Sequence, residues 1–269
     1  MSMTLTISTW NINSVRLRLP LVEKLLVELR PDVLCLQETK CPDELFPFEP
    51  LIALGYPHIA VHGQKGYHGV ATISRYPIEI DEKRRFFGVE DSRHLSVKLK
   101  LAGRTILIHN FYVPAGGDEP DPEINPKFKH KLGFIDEMRA IRAGYDGESA
   151  SILVGDLNIA PMEHDVWSHK QLLKVVSHTT VETEAMTSMR LGSGWTDLMR
   201  HNVPDEQKIY TWWSYRADDW QASNKGRRLD HIWSSPNLAP LLKEVDILSA
   251  ARSWDRPSDH VPVIARFDM

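Results

Sequence analysis

The sequence predicts a mixed α/β protein in which two β-sheets pack face to face with helices on the outside. Three observations lead there. Strand-like segments outnumber helical ones, several neighbouring strands are spaced to pair antiparallel, and the chain opens on strand, helix, strand. No linker-like stretch, internal repeat or low-complexity tract divides the 269 residues, so residues 1–269 are expected to form one domain.

Residues 5–10 alternate apolar and polar positions and read as the first strand. No basic segment precedes them, so the N-terminus is expected to be structure, not a signal peptide. Over residues 17–29, Val22, Leu25, Leu26 and Leu29 fall on one face of a helix that Pro31 terminates. Residues 32–37 (DVLCLQ) read as a buried strand. Further strands are expected at 70–74, 95–101, 105–112, 151–155, 228–234, 245–248 and 261–267, and helices at 126–143 and 196–200. Gly, Pro, Asp and Glu accumulate between residues 114 and 126, the mark of a long surface loop.

Composition narrows the function classes. A 42% hydrophobic and 25% charged chain excludes global disorder. No apolar run approaches the roughly 20 residues that cross a bilayer, and no membrane association is expected. Cys35 lies within an apolar run and reads as a buried thiol, and with Cys41 as the only other cysteine a disulfide framework is not expected; a reducing cytoplasm fits. The net charge of −4 argues against a general nucleic-acid binder. Basic clusters nevertheless occur at Lys83-Arg84-Arg85, at Lys127, Lys129 and Lys131, and at Lys225, Arg227 and Arg228. Each is either a solvated face or part of a local phosphate-binding surface.

The informative residues stand at the strand ends. Residues 6–10 run into Asn11, 33–36 into Gln37-Glu38, 106–111 into Tyr112, and 152–154 into Gly155-Asp156-Leu157-Asn158. In two later segments the order reverses: Asp230 comes early in its strand, and Asp259-His260 precede theirs. If those two strands run antiparallel to the others, all six polar positions share one edge, where α/β sheets bind ligands. Taken singly, Asp-x-Asn after a strand is a turn, Ser258-Asp259 a cap, Glu38 a surface charge, His260 a solvated histidine and Tyr112 packing. Together they are the parts of a site for metal-assisted hydrolysis.

The motifs TWNINS (9–14), LQETK (36–40), GQKGYHGVA (63–71), FYVPAG (111–116), VGDLNIAP (154–161), YTWWSYR (210–216), RLDHIW (228–233) and PSDHVPV (257–263) occur in this order. With them the chain resembles the bacterial exonuclease III family of apurinic/apyrimidinic endonucleases, within the endonuclease/exonuclease/phosphatase superfamily. The resemblance covers almost the whole chain. It implies a four-layer α/β sandwich, two mixed sheets packed face to face and flanked by helices. It also implies a DNA-repair hydrolase that cuts duplex DNA 5′ to abasic sites and trims or cleans 3′ ends, acting as a monomer.

The residues support that chemistry. A phosphodiester must be relieved of developing charge and supplied with a nucleophile. Mg²⁺ suits the task as one or two ions, with Mn²⁺ as an alternative occupant. Glu38 is the first-choice ligand, also implied by the resemblance, and Asp259 the second carboxylate; Asn11, Asp156, Asn158 and His260 complete the candidate set. Asp156 is the candidate to orient or deprotonate the attacking water, with Asn158 holding the same water or a phosphate oxygen. Asn11 would orient Glu38 or contact the phosphate. His260 would donate to a phosphate oxygen or assist proton transfer, its ring held by Asp230 as the resemblance implies. Tyr112 would donate to the phosphate or the leaving oxygen. For substrate, Trp212 and Leu229 are expected to wall a pocket for a base-free deoxyribose. Lys65, Tyr67, His68, Arg93 and Arg228 are expected to meet backbone phosphates, and Asn13 to assist.

Two residues depart from common family patterns. Arg227 stands where many abasic-site enzymes carry an aromatic or aliphatic residue, and Ala115 where many carry an amide. Both bear on the balance between abasic-site incision and 3′-end trimming. The alternatives are a superfamily phosphodiesterase acting on phosphoinositide or phospholipid headgroups, a mainly 3′–5′ exonuclease, and a non-enzymatic DNA-binding module. Headgroup cleavage, trimming without incision, and binding without product would respectively identify them.

Overall fold

The computed structural model describes residues 3–101, 103–144 and 150–269. Twelve strands build two six-stranded sheets. The first contains β1 (Thr4–Asn11), β2 (Val33–Gln37), β3 (His58–His62), β4 (Val70–Ser74), β11 (Leu242–Ile247) and β12 (Val263–Asp268), in the order β11-β12-β1-β2-β4-β3. The second contains β5 (Ile78–Glu82), β6 (His94–Leu101), β7 (Arg104–Tyr112), β8 (Ala150–Asp156), β9 (Thr196–Asp197) and β10 (Asp230–Ser234), in the order β5-β6-β7-β8-β10-β9. Seven α-helices join them: α1 (Leu19–Glu28), α2 (Phe48–Ala53), α3 (Pro126–Met138), α4 (His169–Leu172), α5 (Thr180–Gly192), α6 (Leu198–Asn202) and α7 (Trp220–Ser223).

The layers follow from where the apolar faces point. Leu5, Ile7, Val33 and Cys35 of the first sheet meet Leu95, Ile108, Ile152, Val154 and Ile232 of the second in one core. On the outer face of the first sheet, Val22, Leu25 and Leu26 of α1 pack with Trp10, Leu34, Leu36 and Ile73. On the outer face of the second, Phe134 and Met138 of α3 and Met186 and Met189 of α5 pack on Phe111, Leu153 and Trp233. The result is the expected four-layer sandwich. No helix among the described residues is long and apolar enough to cross a membrane, and Cys35 and Cys41 are both buried and free.

The centre of each sheet repeats one pattern. β1 lies parallel to β2 and antiparallel to β12; β8 lies parallel to β7 and antiparallel to β10. The reversed strands therefore begin where the others end. In register, Asp156 stands opposite both Tyr112 and Asp230. Gly155 is required just before Asp156. Its φ is +142°, and an added Cβ would run into the carbonyl oxygen of Phe111 on β7. Between the sheets, Gln37 Nε2 donates to Asn110 Oδ1 at 2.7 Å, and Asn110 Nδ2 to the Ala71 carbonyl at 2.9 Å, a buried polar seam just behind the strand ends.

Several elements differ from expectation. The helix expected at 196–200 opens instead as strand β9, and α6 begins at Leu198, capped by Asp197, whose carboxylate accepts from the Arg200 amide at 3.3 Å. The strand expected from 228 starts at Asp230, because the Arg228 amide bonds to the Asp165 carbonyl and the Leu229 carbonyl accepts from Leu157. The segment from 261 becomes strand only at Val263, since the Val261 amide is taken by Thr211. Strands β3 and β5 and helix α5 arise where none was expected.

Two basic side chains are also corrected. Arg228, expected at a DNA phosphate, is 0% exposed. It binds Asp165 through Nε and Nη2, both at 2.9 Å, and Asp197 through Nη1 at 2.9 and 3.1 Å. Burial opposes its charge, but the two carboxylates outweigh burial and raise its pKa. Lys131, from a cluster read as a solvated face or phosphate surface, is likewise fully buried, 2.5 Å from Glu182. The Arg228 pair locks the start of β10 against α6, and breaking a buried pair strands its partner charge. Arg228→Met is predicted to lower the unfolding free energy by about 3–5 kcal/mol in chemical denaturation. A change within experimental error would contradict this structural role.

Candidate active site

The strand ends converge on one hydrogen-bonded set. Asn11, ending β1, is buried, and its Nδ2 lies 2.9 Å from Glu38 Oε1 and 2.8 Å from Asp156 Oδ2. One amide thus joins the carboxylate after β2 to the carboxylate ending β8, across the two sheets. Tyr112, ending β7, donates its hydroxyl to Glu38 Oε1 at 2.9 Å. Glu38 itself adopts φ +50°, which turns the chain out of β2, and its Oε2 lies 2.8 Å from Lys40 Nζ.

On the other side, His260 Nδ1 is 2.8 Å from Asp230 Oδ2, and its Nε2 is 3.7 Å from Asp156 Oδ2. Thr211 Oγ1 donates to Asp230 at 2.6 Å and accepts from the Leu229 and Asp230 amides. Asn158, with φ +54°, donates its amide N–H to Asp156 Oδ1 at 2.9 Å and its Nδ2 to the Val113 carbonyl at 2.9 Å. Asp259 accepts from Asn13 Nδ2 at 3.1 Å and from Trp212 Nε1 at 2.9 Å. Lys40 Nζ also reaches Asn13 Oδ1 at 2.6 Å.

These contacts drive the titratable groups apart. Burial pushes Asp156 up to about 7; His260 pulls against this, while Asp230 and Glu38 add to it. Burial alone would lower His260, but Asp230 and Asp156 overcome it and raise the imidazole to about 10. Burial would also raise Glu38 and Asp259, yet Lys40 and Asn11 hold the first, and His260, Trp212 and Asn13 the second, below their usual range. Tyr112 is raised well above its usual value by burial, then by Glu38 and Asp156, so it keeps its proton. At neutral pH the set contains an imidazolium, two ionised carboxylates at the edge and a carboxylate balanced between its two forms.

The chemistry of the donors decides where a cation fits. Asp156, Asp230 and His260 each bring one donor atom within 4.8 Å of one another. That trio already contains the positive charge of His260, whose Nδ1 is committed to Asp230. Glu38 and Asp259 line a recess of about 700 Å³ and are held below their usual range, with Asn11 Nδ2 donating to Glu38 and Asn13 Nδ2 to Asp259. Hard oxygen donors of this kind suit a hard divalent cation.

Trp212 and Leu229 line the same recess, with Tyr112, Asn158 and His260. Trp212 is held there by backbone bridges to Arg227 on one side and His260 on the other. Lys65 is exposed and Tyr67 is 72% exposed, while His68 stacks obliquely 6.1 Å from Tyr112 with φ +61°. Arg93 does not reach the surface as expected. It is 7% exposed, paired with Asp91, bonded through Nη1 to the Tyr112 carbonyl at 3.2 Å, and 4.8 Å above the Tyr112 ring. Its position supports Tyr112 from behind.

Three contributors were not anticipated. Lys40 sits beside Glu38, two residues on in LQETK. Thr211 orients Asp230 from within YTWWSYR. Lys131 donates to the carbonyls of Ala115 at 3.2 Å and Asn158 at 2.9 Å, fixing two loops at the recess. The first two lay inside quoted motifs; nothing local distinguished the third from Lys127 and Lys129.

Comparison with known proteins agrees with this geometry. The model of the endonuclease/exonuclease/phosphatase family matches residues 8–260. Exodeoxyribonuclease III of Haemophilus influenzae is 30% identical over 96% of this chain and 98% of its own. Among solved structures, an AP endonuclease from Archaeoglobus fulgidus superposes with a TM-score of 0.90 at 31% identity, covering 98% of this chain and 100% of that one. The 3′ phosphatase NExo from Neisseria, bound to a product DNA hairpin, superposes with a TM-score of 0.86 at 32% identity, over 98% of this chain and 100% of its own. By sequence, fold and the match across nearly its full length, the chain belongs to the endonuclease/exonuclease/phosphatase family.

Proposed function

We propose that this protein is a DNA-repair phosphodiesterase that uses a divalent cation, Mg²⁺ by preference, to cut duplex DNA 5′ to abasic sites and to remove nucleotides or blocking groups from 3′ ends. The observation that carries this reading is one buried set, in which Asn11 Nδ2 lies 2.8 Å from Asp156 Oδ2 and His260 lies 3.7 Å from Asp156 and 2.8 Å from Asp230, beside a recess that Trp212 and Leu229 line. Burial raises Asp156 and suits it to take a proton, while Asp230 and Asp156 outweigh burial at His260, keep it charged and suit it to donate to phosphate.

Glu38 and Asp259 would hold the cation, which when bound neutralises charge on the phosphate and the departing oxygen. The chain's own residues do the rest. Asp156 accepts the proton of the attacking water, positioned by the Asn158 amide and Asn11 Nδ2. The water oxygen bonds to phosphorus, the P–O3′ bond breaks, and O3′ takes a proton from solvent water. His260, kept charged by Asp230, donates to a phosphate oxygen. Tyr112, which keeps its proton, donates to the phosphate or the leaving oxygen. Asn13 supports Asp259. Lys65, Tyr67 and His68 sit where backbone phosphates would pass, and Trp212 and Leu229 offer apolar walls to an extruded sugar. Similarity to an AP endonuclease and to a 3′ phosphatase seen with DNA supports DNA over a lipid headgroup as substrate. A cytoplasmic monomer, with both thiols free, fits this role.

The direct test offers an end-labelled duplex with one abasic analogue and an intact duplex with a recessed 3′ end, each with Mg²⁺ or chelator. Incision at the lesion and trimming at the end are expected, both abolished by chelator; no cleavage of either sinks the proposal. Asp156→Asn is predicted to lower kcat by about 10²–10⁴-fold. Glu38→Gln should raise the Mg²⁺ concentration needed for half-maximal rate. A near-normal rate for the first, or an unchanged metal requirement for the second, removes that residue from its role.

A pH profile follows from the shifts. The base works deprotonated, so kcat/KM should rise through about 7 as Asp156 loses its proton. It should fall toward about 10 as His260 loses its own. Both limbs belong to the coupled set, not to single residues. A flat profile from roughly one unit below that acid limb to roughly two units above it, short of the alkaline limb, would contradict the assignment.

A further inference from the structure

Behind the wall of the recess lies a buried ion pair that the mechanism above leaves unused. Lys131 of α3 and Glu182 of α5 are both fully buried. An ammonium carries three N–H donors, and Lys131 has an acceptor for each. These are Glu182 Oε1 at 2.5 Å, the Asn158 carbonyl at 2.9 Å and the Ala115 carbonyl at 3.2 Å. Ala115 lies in the loop after β7 and Asn158 in the loop after β8, and both line the recess with Ser177. Glu182 gathers the turn that leads into α5. It accepts from the Ser177 amide at 3.0 Å, the Thr179 amide at 3.2 Å and Thr179 Oγ1 at 2.6 Å. That turn is tied back to the loop after β8, because the Ala160 amide donates to the Ser177 carbonyl at 2.8 Å. Gly116 makes room for the lysine stem: its φ is +91°, and an added Cβ would stand 2.8 Å from Lys131 Cδ. One ion pair therefore joins three loops of the recess wall.

Asn158 is where this pair meets the reacting groups. Its φ of +54° is a conformation that a non-glycine residue keeps only when its surroundings hold it. Its amide donates to Asp156 Oδ1 at 2.9 Å, and its Nδ2 reaches the Val113 carbonyl at 2.9 Å and Asp156 Oδ2 at 3.2 Å. Its carbonyl is taken by Lys131. The peptide groups on the two sides of Asn158 are thus both held, one by Asp156 and the other by Lys131, and peptide planarity passes the constraint along. Resting on the phosphodiesterase reading, we propose that Lys131 is a positioning residue for the attack on phosphorus: through Asn158 it sets the orientation of the Asp156 carboxyl, while Glu182 keeps the ammonium in place. Lys131 touches neither substrate nor reacting atoms. A lysine with a purely structural role becomes dispensable once its partner is neutral as well, because removing both charges of a buried pair is often harmless while removing one strands the other. A positioning lysine does not, because the Asn158 and Ala115 carbonyls still lack their donor. A displacement of about 1 Å at a reacting group costs about 10²-fold in rate, which sets the size of the expected effect.

The test compares wild-type, Lys131→Met and doubly substituted Lys131→Met/Glu182→Gln protein in cleavage of abasic duplex with Mg²⁺, with chemical denaturation of each alongside. Glu182→Gln keeps an acceptor for the Ser177 and Thr179 amides and removes the stranded charge. Lys131→Met alone should unfold at lower denaturant than wild type, and the double variant should recover most of that loss. Both should nevertheless lose kcat by about 10²-fold while KM for the duplex stays within about threefold. If Lys131→Met does not fold, the double variant carries the comparison by itself. Recovery of kcat together with stability in the double variant overturns the inference, since it marks the pair as structural. A loss confined to KM, or a near-normal kcat in either variant, overturns it too. If the wild-type protein cleaves nothing, the phosphodiesterase reading fails, and the hold on Asn158 is read separately from hydrogen exchange of its amide proton by NMR. Faster exchange in the folded double variant, with the central strand amides unchanged, supports the inference; equal exchange overturns it.

Discussion

The constraint on which the rest depends is the need to satisfy buried charge at the seam between two sheets. Asp156, Asp230 and His260 are almost completely buried, and an unpaired ion there would cost several kcal/mol, by an order-of-magnitude reckoning. Each is matched by a group from the opposite sheet. Asn11 on β1 reaches Asp156 on β8, Tyr112 on β7 reaches Glu38 beyond β2, and His260 before β12 reaches Asp230 on β10. The sheets cannot slide without breaking all three. The site is therefore also the clasp of the fold, and the Gln37–Asn110 seam behind it extends the same logic into the core.

The clasp yields reactive groups because its members do not share charge equally. Asp156 lies in a dry place with one attractive neighbour, His260, and two repulsive ones, Asp230 and Glu38; Glu38 and Asp259 have Lys40 and His260 near them and lie at the recess. Identical carboxyl chemistry thus separates into one carboxyl raised toward neutrality and two held below their usual range. The same arithmetic distinguishes the arginines. Arg228 has two carboxylates and is structural, Arg93 has Asp91 and braces Tyr112, and Arg227 pairs with none among the described residues.

Much of this was legible in the sequence, and the rest was hidden for physical reasons. Strand ends carrying Asn11, Glu38, Tyr112 and Asp156 were visible because an alternating or apolar run stops abruptly at a polar residue. The reversal of the strands holding Asp230 and His260 was visible as polar residues leading their runs. What escaped depended on distant partners. Arg228 pairs with Asp165, 63 positions away, and no local pattern separates such an arginine from a surface one. Helix α5 was missed because its buried residues are Glu182, Met186 and Met189, a stripe led by a carboxylate. Edge strand β5 was missed because four of its five residues are exposed. The two starts of β10 and β12 were misjudged because loop residues Leu229 and Val261 spend their backbone groups on other segments.

Carboxylates from the two sheets are expected to act on one phosphate as one unit. The most direct measurement is a double-mutant cycle in single-turnover cleavage of abasic duplex by wild-type, Glu38→Gln, Asp156→Asn and doubly substituted protein. The account predicts strong non-additivity, with the double variant about as slow as the slower single one. Losses that multiply independently would show two groups working apart, and would contradict it.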